Sequence, residues 1–326
     1  MMERQQLGVK GPVVSELCLG TGGFGTAVSR DTAWAIMDRY AEVGGNFVDT
    51  AHVYASWLPD GAGASERTIG SWIAARGCRE KVVIGTKGGH PDLLAMDVSR
   101  LAPEDIASDL YESLDRLGTD YVDLYWLHRD DPSIPVGEII DALSQHVAEG
   151  LVRAIGCSNW TPQRQEEAAA WSRRHGKPSF CASQIGYSLA RANAGAAGYA
   201  GMLYMDGATY AFHRRTGIPV VAYSSQAGGF FSGKYAASDD PASVANQGVV
   251  RTYYSDANFR RLERAQQLAA KHGRTANEVN LAYLLSQPFQ VVPIVGPRTE
   301  AQIEASCAAA GWRLSEDACR FLEGGR

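Results

Sequence analysis

Phe47-Val48-Asp49-Thr50-Ala51-His52-Val53-Tyr54 is the stretch on which the reading of the whole chain turns. Asn46 to Val48 reads as a short buried strand, and the run ends in a carboxylate followed five residues later by a phenol. A strand that carries Asp49 to its C-terminal tip and Tyr54 to the loop beyond places two ionisable groups at one mouth. Taken alone, Asp49 could equally cap the next segment and Tyr54 could be a half-buried aromatic, so the flanking sequence has to decide.

On either side the same unit repeats. Leu17–Gly20 is a strand running into Thr21-Gly22-Gly23-Phe24-Gly25, and Asp31 is the expected N-cap of a helix with Ile36, Met37, Tyr40 and Val43 on its apolar face. After Tyr54 and Trp57 a helix starts at Ser65. Strand Val82–Thr86 ends in Lys87, and Pro103 opens a helix closed by Gly118. Strand Tyr121–Leu127 ends in His128, and a helix around Val136–Glu149 stops at Gly150. Strand Arg153–Cys157 ends in Ser158-Asn159, with Thr161 capping the next helix. Strand Ala182–Tyr187 contains Gln184, a helix around Met205–Arg215 leads to strand Pro219–Tyr223, and a long loop runs from Ser224 to about Asp256. Two helical patterns then precede strand Val291–Val295, which ends in Gly296-Pro297-Arg298.

All eight strands are short, continuous apolar runs, as expected where both faces are buried, and each is separated from the next by a helical pattern. The pattern predicts a (β/α)8 TIM barrel occupying residues 1–326 as a single domain. An N-terminal hairpin within residues 1–16 and extra C-terminal helices, the last around Leu314–Leu322, complete the expectation.

The 326 residues are 45% hydrophobic and carry a formal net charge of −5, with no basic run, which argues against nucleic-acid and acidic-membrane partners. No apolar run reaches the roughly 18 residues of a membrane span, and there is no signal-peptide core. The six cysteines are scattered without a CxxC, which suits a reducing, cytoplasmic setting. His52 and His90 lie near the strand ends, but no pair has metal-ligand spacing, so no metal is expected. Gly20 to Gly25 satisfies the dinucleotide fingerprint G-x-G-x-x-G, with Asp49 one unit later. Against that reading, the helix starts near Asp31, leaving no helix N-terminus to face a pyrophosphate.

In a barrel every strand C-terminus converges on one face. Asp49, Tyr54, Lys87 and His128 then bring a carboxylate, a phenol, an ammonium and an imidazole to one rim. Together they suit carbonyl reduction, in which oxygen gains negative charge and needs a proton. A nearby ammonium lowers the phenol's ordinary pKa of about 10, a carboxylate keeps that ammonium charged, and histidine orients the carbonyl.

These stretches resemble the aldo-keto reductase family over essentially the whole chain. The resemblance rests on Phe47-Val48-Asp49-Thr50-Ala51 with Tyr54, Thr86-Lys87, Leu127-His128, Gly156-Cys157-Ser158-Asn159, Gln184, Gly233-Lys234-Tyr235 and Gly296-Pro297-Arg298-Thr299. It implies an NADPH-dependent oxidoreductase with Asp49, Tyr54, Lys87 and His128 as the catalytic tetrad and Tyr54 as proton donor. It also implies that Ser158, Asn159 and Gln184 hold the nicotinamide carboxamide, that Tyr223 stacks on the ring beside Ser224, and that Gly20, Thr21 and Gly22 lie along the nicotinamide end. Arg298 would meet the 2′-phosphate of NADPH (NADP+), with Gln302 nearby.

Two departures from the family pattern keep NADH possible. Ala305-Ser306 stands where relatives carry Glu-Asn, and Ser224-Ser225-Gln226-Ala227 replaces Ser-Pro-Leu. Trp57, Trp126 and Trp160 are candidates for the wall of a substrate pocket, for a small carbonyl or sugar-like substrate. The excursion Tyr199–Tyr210 and the insertion Gly233–Asp256 are the expected specificity determinants. Potassium-channel β-subunits resemble the same family, so a cofactor-binding regulatory protein with little turnover is the alternative.

Overall fold

The computed structural model describes residues 2–196 and 201–325. A two-stranded antiparallel hairpin, β1 (Arg4–Gln6) and β2 (Val13–Ser15), precedes eight parallel strands. These are β3 (Cys18–Gly20), β4 (Phe47–Asp49), β5 (Val83–Gly88), β6 (Leu124–Leu127), β7 (Ile155–Ser158), β8 (Ser183–Gly186), β9 (Val220–Tyr223) and β10 (Val291–Val295), closed in sequence order with β10 pairing β3. The helices are α1 (Arg30–Glu42), α2 (Ala64–Arg76), α3 (Pro103–Leu117), α4 (Val136–Ala148), α5 (Pro162–His175) and α6 (Gly207–Thr216), then α7 (Gln247–Tyr253), α8 (Asp256–His272), α9 (Ala276–Leu285), α10 (Glu300–Cys307) and α11 (Glu316–Glu323). This is the (β/α)8 barrel with an N-terminal hairpin and an added C-terminal helix.

The hairpin gives the barrel its polarity. Leu7 and Val14 are fully buried in one cluster with Cys18, Phe47, Leu124, Ala182 and Val292, residues from the early parts of the barrel strands. The hairpin therefore plugs the N-terminal mouth and leaves the C-terminal mouth as the working face. Asn46 ties the two together, accepting from the Ser15 amide at 2.7 Å and donating to the Val13 carbonyl at 3.0 Å.

Local chemistry accounts for the element ends. Pro103 opens α3 and Gly118, at φ 62°, closes it; Thr161 caps α5 through the Arg164 amide. Ser29 caps α1, not Asp31, because Ser29 has the extended backbone and accepts from the Thr32 amide, while Asp31 sits in the first turn where the helix dipole favours an anion. The stretch expected as a loop after β9 contains α7, capped by Asn246. An aromatic cluster clamps this insertion, with Phe230 and Phe259 centroids 5.2 Å apart and Tyr254 and Phe259 5.0 Å apart. No helix among the described residues is long and apolar enough to cross a membrane, and the six cysteines are unpaired.

Trp126 fills the barrel interior between two glycines. A Cβ on Gly85 would lie 2.9 Å from the indole nitrogen, and one on Gly156 would meet the ring carbons closer still. Gly156→Ala is expected to cost about 1–3 kcal/mol through overpacking, measured as a lower melting temperature. Gly207→Ala, where nothing lies within 4 Å of the added carbon, should leave the melting temperature unchanged.

Candidate active site

The C-terminal mouth is organised around the Lys87 ammonium, whose residue is 1% exposed. It donates to Asp49 Oδ2 at 2.6 Å, to the Thr50 carbonyl at 2.6 Å and to the Tyr54 hydroxyl at 2.8 Å. An ammonium has three N–H donors and no acceptor, so this geometry uses all of them. The Tyr54 oxygen accepts one of these, and its own proton has only a long 3.3 Å contact to Asp49 Oδ2. Lys87 also lies 4.3 Å from the Tyr54 ring centroid. The other Asp49 oxygen accepts from Gln184 Nε2 at 2.8 Å, so a residue of β8 reaches across to β4.

A second layer holds these tips. Thr21 donates through its hydroxyl to the Asp49 carbonyl at 2.8 Å, and the Ser65 hydroxyl contacts both Thr21 and Thr50 hydroxyls at 2.8 Å. Thr86, beside Lys87, donates to buried Glu66 at 2.6 Å, which also faces Arg116 at 3.4 Å. Ser65, Glu66 and the Thr50 carbonyl were missed in the sequence. Ser65 and Glu66 look like any helix first turn, and a backbone carbonyl leaves no mark in residue type.

His128 completes the group, its ring edge-on to Tyr54 with centroids 6.1 Å apart and to His90 at 4.9 Å. Its Nδ1 is buried without a hydrogen-bond partner. Burial, then the charge of Lys87, holds the imidazole well below its ordinary range, so it is neutral. For Tyr54 the sequence expectation reverses. Burial, with Asp49 adding to it, outweighs the ammonium and pushes the phenol up to about 12. For Lys87, burial opposes the charge, but Asp49 and Tyr54 outweigh it and raise the ammonium's pKa.

Ser158, Asn159 and Gln184 form one polar patch beside the tetrad. Ser158 donates to the Gln184 carbonyl at 2.9 Å, and Asn159 Nδ2 donates to the Ser158 hydroxyl at 3.1 Å and the His128 carbonyl at 3.2 Å. Asn159 Oδ1 accepts from the Tyr223 hydroxyl at 2.9 Å, bringing Tyr223 to the same edge. Gly22 borders Tyr54, since a Cβ there would lie 3.9 Å from its ring, and Gly20 packs under Ile294 of β10. Thr21 is fully buried with its hydroxyl spent on Asp49, so it acts as a support and offers no contact surface. Ser224 sits at φ 50°, turning the chain away from β9.

Farther out, Arg298 is exposed and has no ion pair among the described residues, while its amide donates to Gln302 Oε1 at 2.7 Å. The two departures from the family pattern meet here, because Gln226 Nε2 donates to the Ser306 hydroxyl at 3.2 Å.

The three tryptophans separate. Trp57 is 57% exposed on the loop after Tyr54. Trp126 is inside the barrel, and Trp160 is packed against Phe180 at 5.0 Å with its N–H donating to the Arg129 carbonyl at 3.1 Å. Both are fully buried, which removes them from any pocket wall. His52 turns outward to Glu112 of α3 at 3.0 Å. No group of three or more metal-ligating side chains comes together among the described residues. Tyr199 of the Tyr199–Tyr210 excursion lies outside the described residues.

The electrostatics predict that His128 stays neutral at pH 6.5, where a free histidine is half charged. Removing the second contributor with Lys87→Met should raise the His128 pKa part of the way back; an NMR titration of the imidazole signals in both proteins reads this directly.

A model of the aldo/keto reductase family matches residues 16–323. The chain is 34% identical to the uncharacterized oxidoreductase YrpG of Bacillus subtilis, over 98% of this chain and 95% of that protein. It is 30% identical to the norsolorinic acid reductase stcV of Emericella nidulans, over 95% of this chain and 78% of that one. It is 29% identical to the protein tas of Escherichia coli, over 95% and 93% respectively. With the barrel, the rim and this span of similarity together, the chain belongs to the aldo/keto reductase family of NAD(P)H-dependent oxidoreductases.

Proposed function

We propose that this protein, working as one barrel, reduces an aldehyde or ketone to the alcohol, reversibly, with NADPH as the preferred cofactor and Tyr54 as the proton donor. The observation that carries the reading is the saturated Lys87 junction, which holds the Tyr54 oxygen 2.8 Å from the ammonium while the Tyr54 proton has only a 3.3 Å contact to Asp49. NADPH, when bound, supplies the hydride that a carbonyl carbon accepts. The residues present fit it: the Ser158–Asn159–Gln184 patch matches a carboxamide in donors and acceptors, Tyr223 offers an aromatic face, and exposed Arg298 offers a fork for a 2′-phosphate.

The chain's own part is proton handling and charge stabilisation. Neutral His128 hydrogen-bonds the carbonyl oxygen and orients it without competing as an acid. Tyr54, protonated throughout the physiological range by its raised pKa, delivers its proton to that oxygen as negative charge develops. The phenolate left behind faces the Lys87 ammonium, 2.8 Å away, and Asp49 keeps that ammonium charged and in place. In the oxidative direction the same phenolate takes the proton back. The substrate is a small carbonyl compound, with Trp57 at the outer lip.

Fluorescence titration with NADPH and NADH, followed by turnover of a reactive test aldehyde, tests the reading. Tyr54→Phe should bind NADPH as wild type does and lose about 10²–10⁴-fold in kcat. Tight binding by wild type with no turnover on any carbonyl would instead support a regulatory protein on the same barrel. Arg298→Ala should weaken NADPH by roughly tenfold or more and leave NADH unchanged, since it removes a charge-assisted contact that only the 2′-phosphate makes. Equal weakening of both nucleotides would count against the assigned role of Arg298.

A further inference from the structure

A cavity of about 250 Å³ lies at the C-terminal end of β8, walled by Gly186 and the segment after it, the start of α6, and parts of α8, α9 and α11, with Tyr204 between it and Tyr223, 5.9 Å away ring to ring. None of Asp49, Tyr54, Lys87, His128, Tyr223 or Arg298 lines it. Among its lining residues is Arg261 of α8, which is 8% exposed.

Arg261 differs from Arg164, the other buried arginine among the described residues. Arg164, 9% exposed, has Asp130 at 3.0 Å, Glu167 at 3.4 Å and two backbone carbonyls. Half-buried Arg79 also has a carboxylate, Asp123 at 2.9 Å, whereas half-buried Arg129, beside His128, has an unpartnered Nε like that of Arg261. Arg261 has no carboxylate within ion-pairing distance among the described residues, and its hydrogen bond is to a neutral amide, Asn258 Oδ1, at 3.2 Å. That oxygen is shared with the Arg191 amide at 2.9 Å, and the Arg261 Nε is buried with no partner. Two carboxylates also line the cavity: Glu323, engaged by the Tyr283 hydroxyl at 2.5 Å, and Asp206, which caps α6 through the Thr209 amide. Burial, then the like charges of Arg191 and Arg264, hold the guanidinium below its ordinary pKa, with Tyr283 and Glu323 offsetting only part of this.

A guanidinium withdrawn from water with most of its five donors unmatched is costly, and it persists most economically where something completes it. Here Arg261 is one of the residues that wall the cavity. The same cavity is lined by the tyrosines Tyr187, Tyr210 and Tyr283, of which the Tyr210 hydroxyl donates to Gln287 at 3.1 Å.

We propose that this cavity is a second binding site, separate from the catalytic rim, for a small molecule bearing a carboxylate or phosphate group that Arg261 receives through its unpartnered N–H donors. The tyrosines would hold an aromatic or hydroxylated remainder. Arginine suits the task because its planar fork matches both oxyanions, and a lysine at this position would offer only a point charge.

Isothermal titration of the full chain with inorganic phosphate and, separately, with benzoate tests this at constant ionic strength set with chloride. At least one of the two should bind with a dissociation constant below about 1 mM, and the stronger of them identifies the anion class. Arg261→Met should abolish that binding while its circular-dichroism spectrum and melting temperature stay close to those of wild type, which shows that the variant is folded. If Arg261→Met does not fold, Arg261→Lys carries the test, with at least tenfold weaker binding expected. Absence of binding to wild type below 10 mM by either anion overturns the proposal, as does undiminished binding to whichever variant folds. The readout does not depend on the carbonyl reaction, so failure of this site and failure of the proposed catalytic function can be told apart.

Discussion

The Lys87–Asp49 ion pair is the constraint on which the working face depends. Two charges almost completely removed from water repay their desolvation only if every donor and acceptor finds a partner in good geometry. Here the three acceptors for the ammonium come from the end of β4, the residue after it and the loop beyond, while Gln184 of β8 satisfies the far oxygen of Asp49. Lys87 meets its acceptors because β4 and β5 pair side by side, and Gln184 reaches Asp49 only because the sheet closes. The pair thus makes barrel closure and rim geometry a single condition, since a slip of β4 against β5 would bury an ammonium with nothing to receive it.

Rigidity around that pair is built from backbone as well as side chains. Ala55, Asn159, Ser224 and Ala227 all hold positive φ without being glycine, and all four lie in the segments following barrel strands at the C-terminal mouth. Such conformations cost of order 1–3 kcal/mol each and persist only where surrounding contacts over-determine them. Asn159 shows how: its side chain makes contacts with Ser158, His128, Tyr223 and Leu203, so the strained backbone is held by four neighbours. Ser65 does similar work below the rim, joining the tips of β3 and β4 to the start of α2.

The order of strands and helices was legible because buried parallel strands leave apolar runs and the helices between them carry caps and glycine stops. The tetrad was legible because its members share one position in the repeating unit, the strand end or the loop immediately after it. The direction in which a side chain points was not. Trp126 and Trp160 follow the same sequence logic as Trp57, yet one fills the barrel and the other packs against Phe180. Gly85 and Gly156 were the available sign, since two glycines on the strands flanking Trp126 leave room only for a ring turned inward. Cap placement failed by two residues at α1 because Ser29 and Asp31 are both competent caps, and only the backbone at Ser29 distinguishes them.

The phenol shows best why sign cannot be read from neighbours alone. A lysine next to a tyrosine predicts a depressed pKa, and at the surface that would be right. In this site burial opposes the phenolate, and Asp49 opposes it again from 3.3 Å, so Lys87 recovers only part of the loss and the proton is held more tightly than in water. Tight holding is compatible with donation because the demand arises only when a carbonyl oxygen gains charge beside it. The ammonium then serves the state after transfer, when it faces a full negative charge in a site where burial weakens screening. A group that binds the product of proton transfer better than the reactant lowers the barrier, whereas one that ionised the tyrosine beforehand would leave nothing to give.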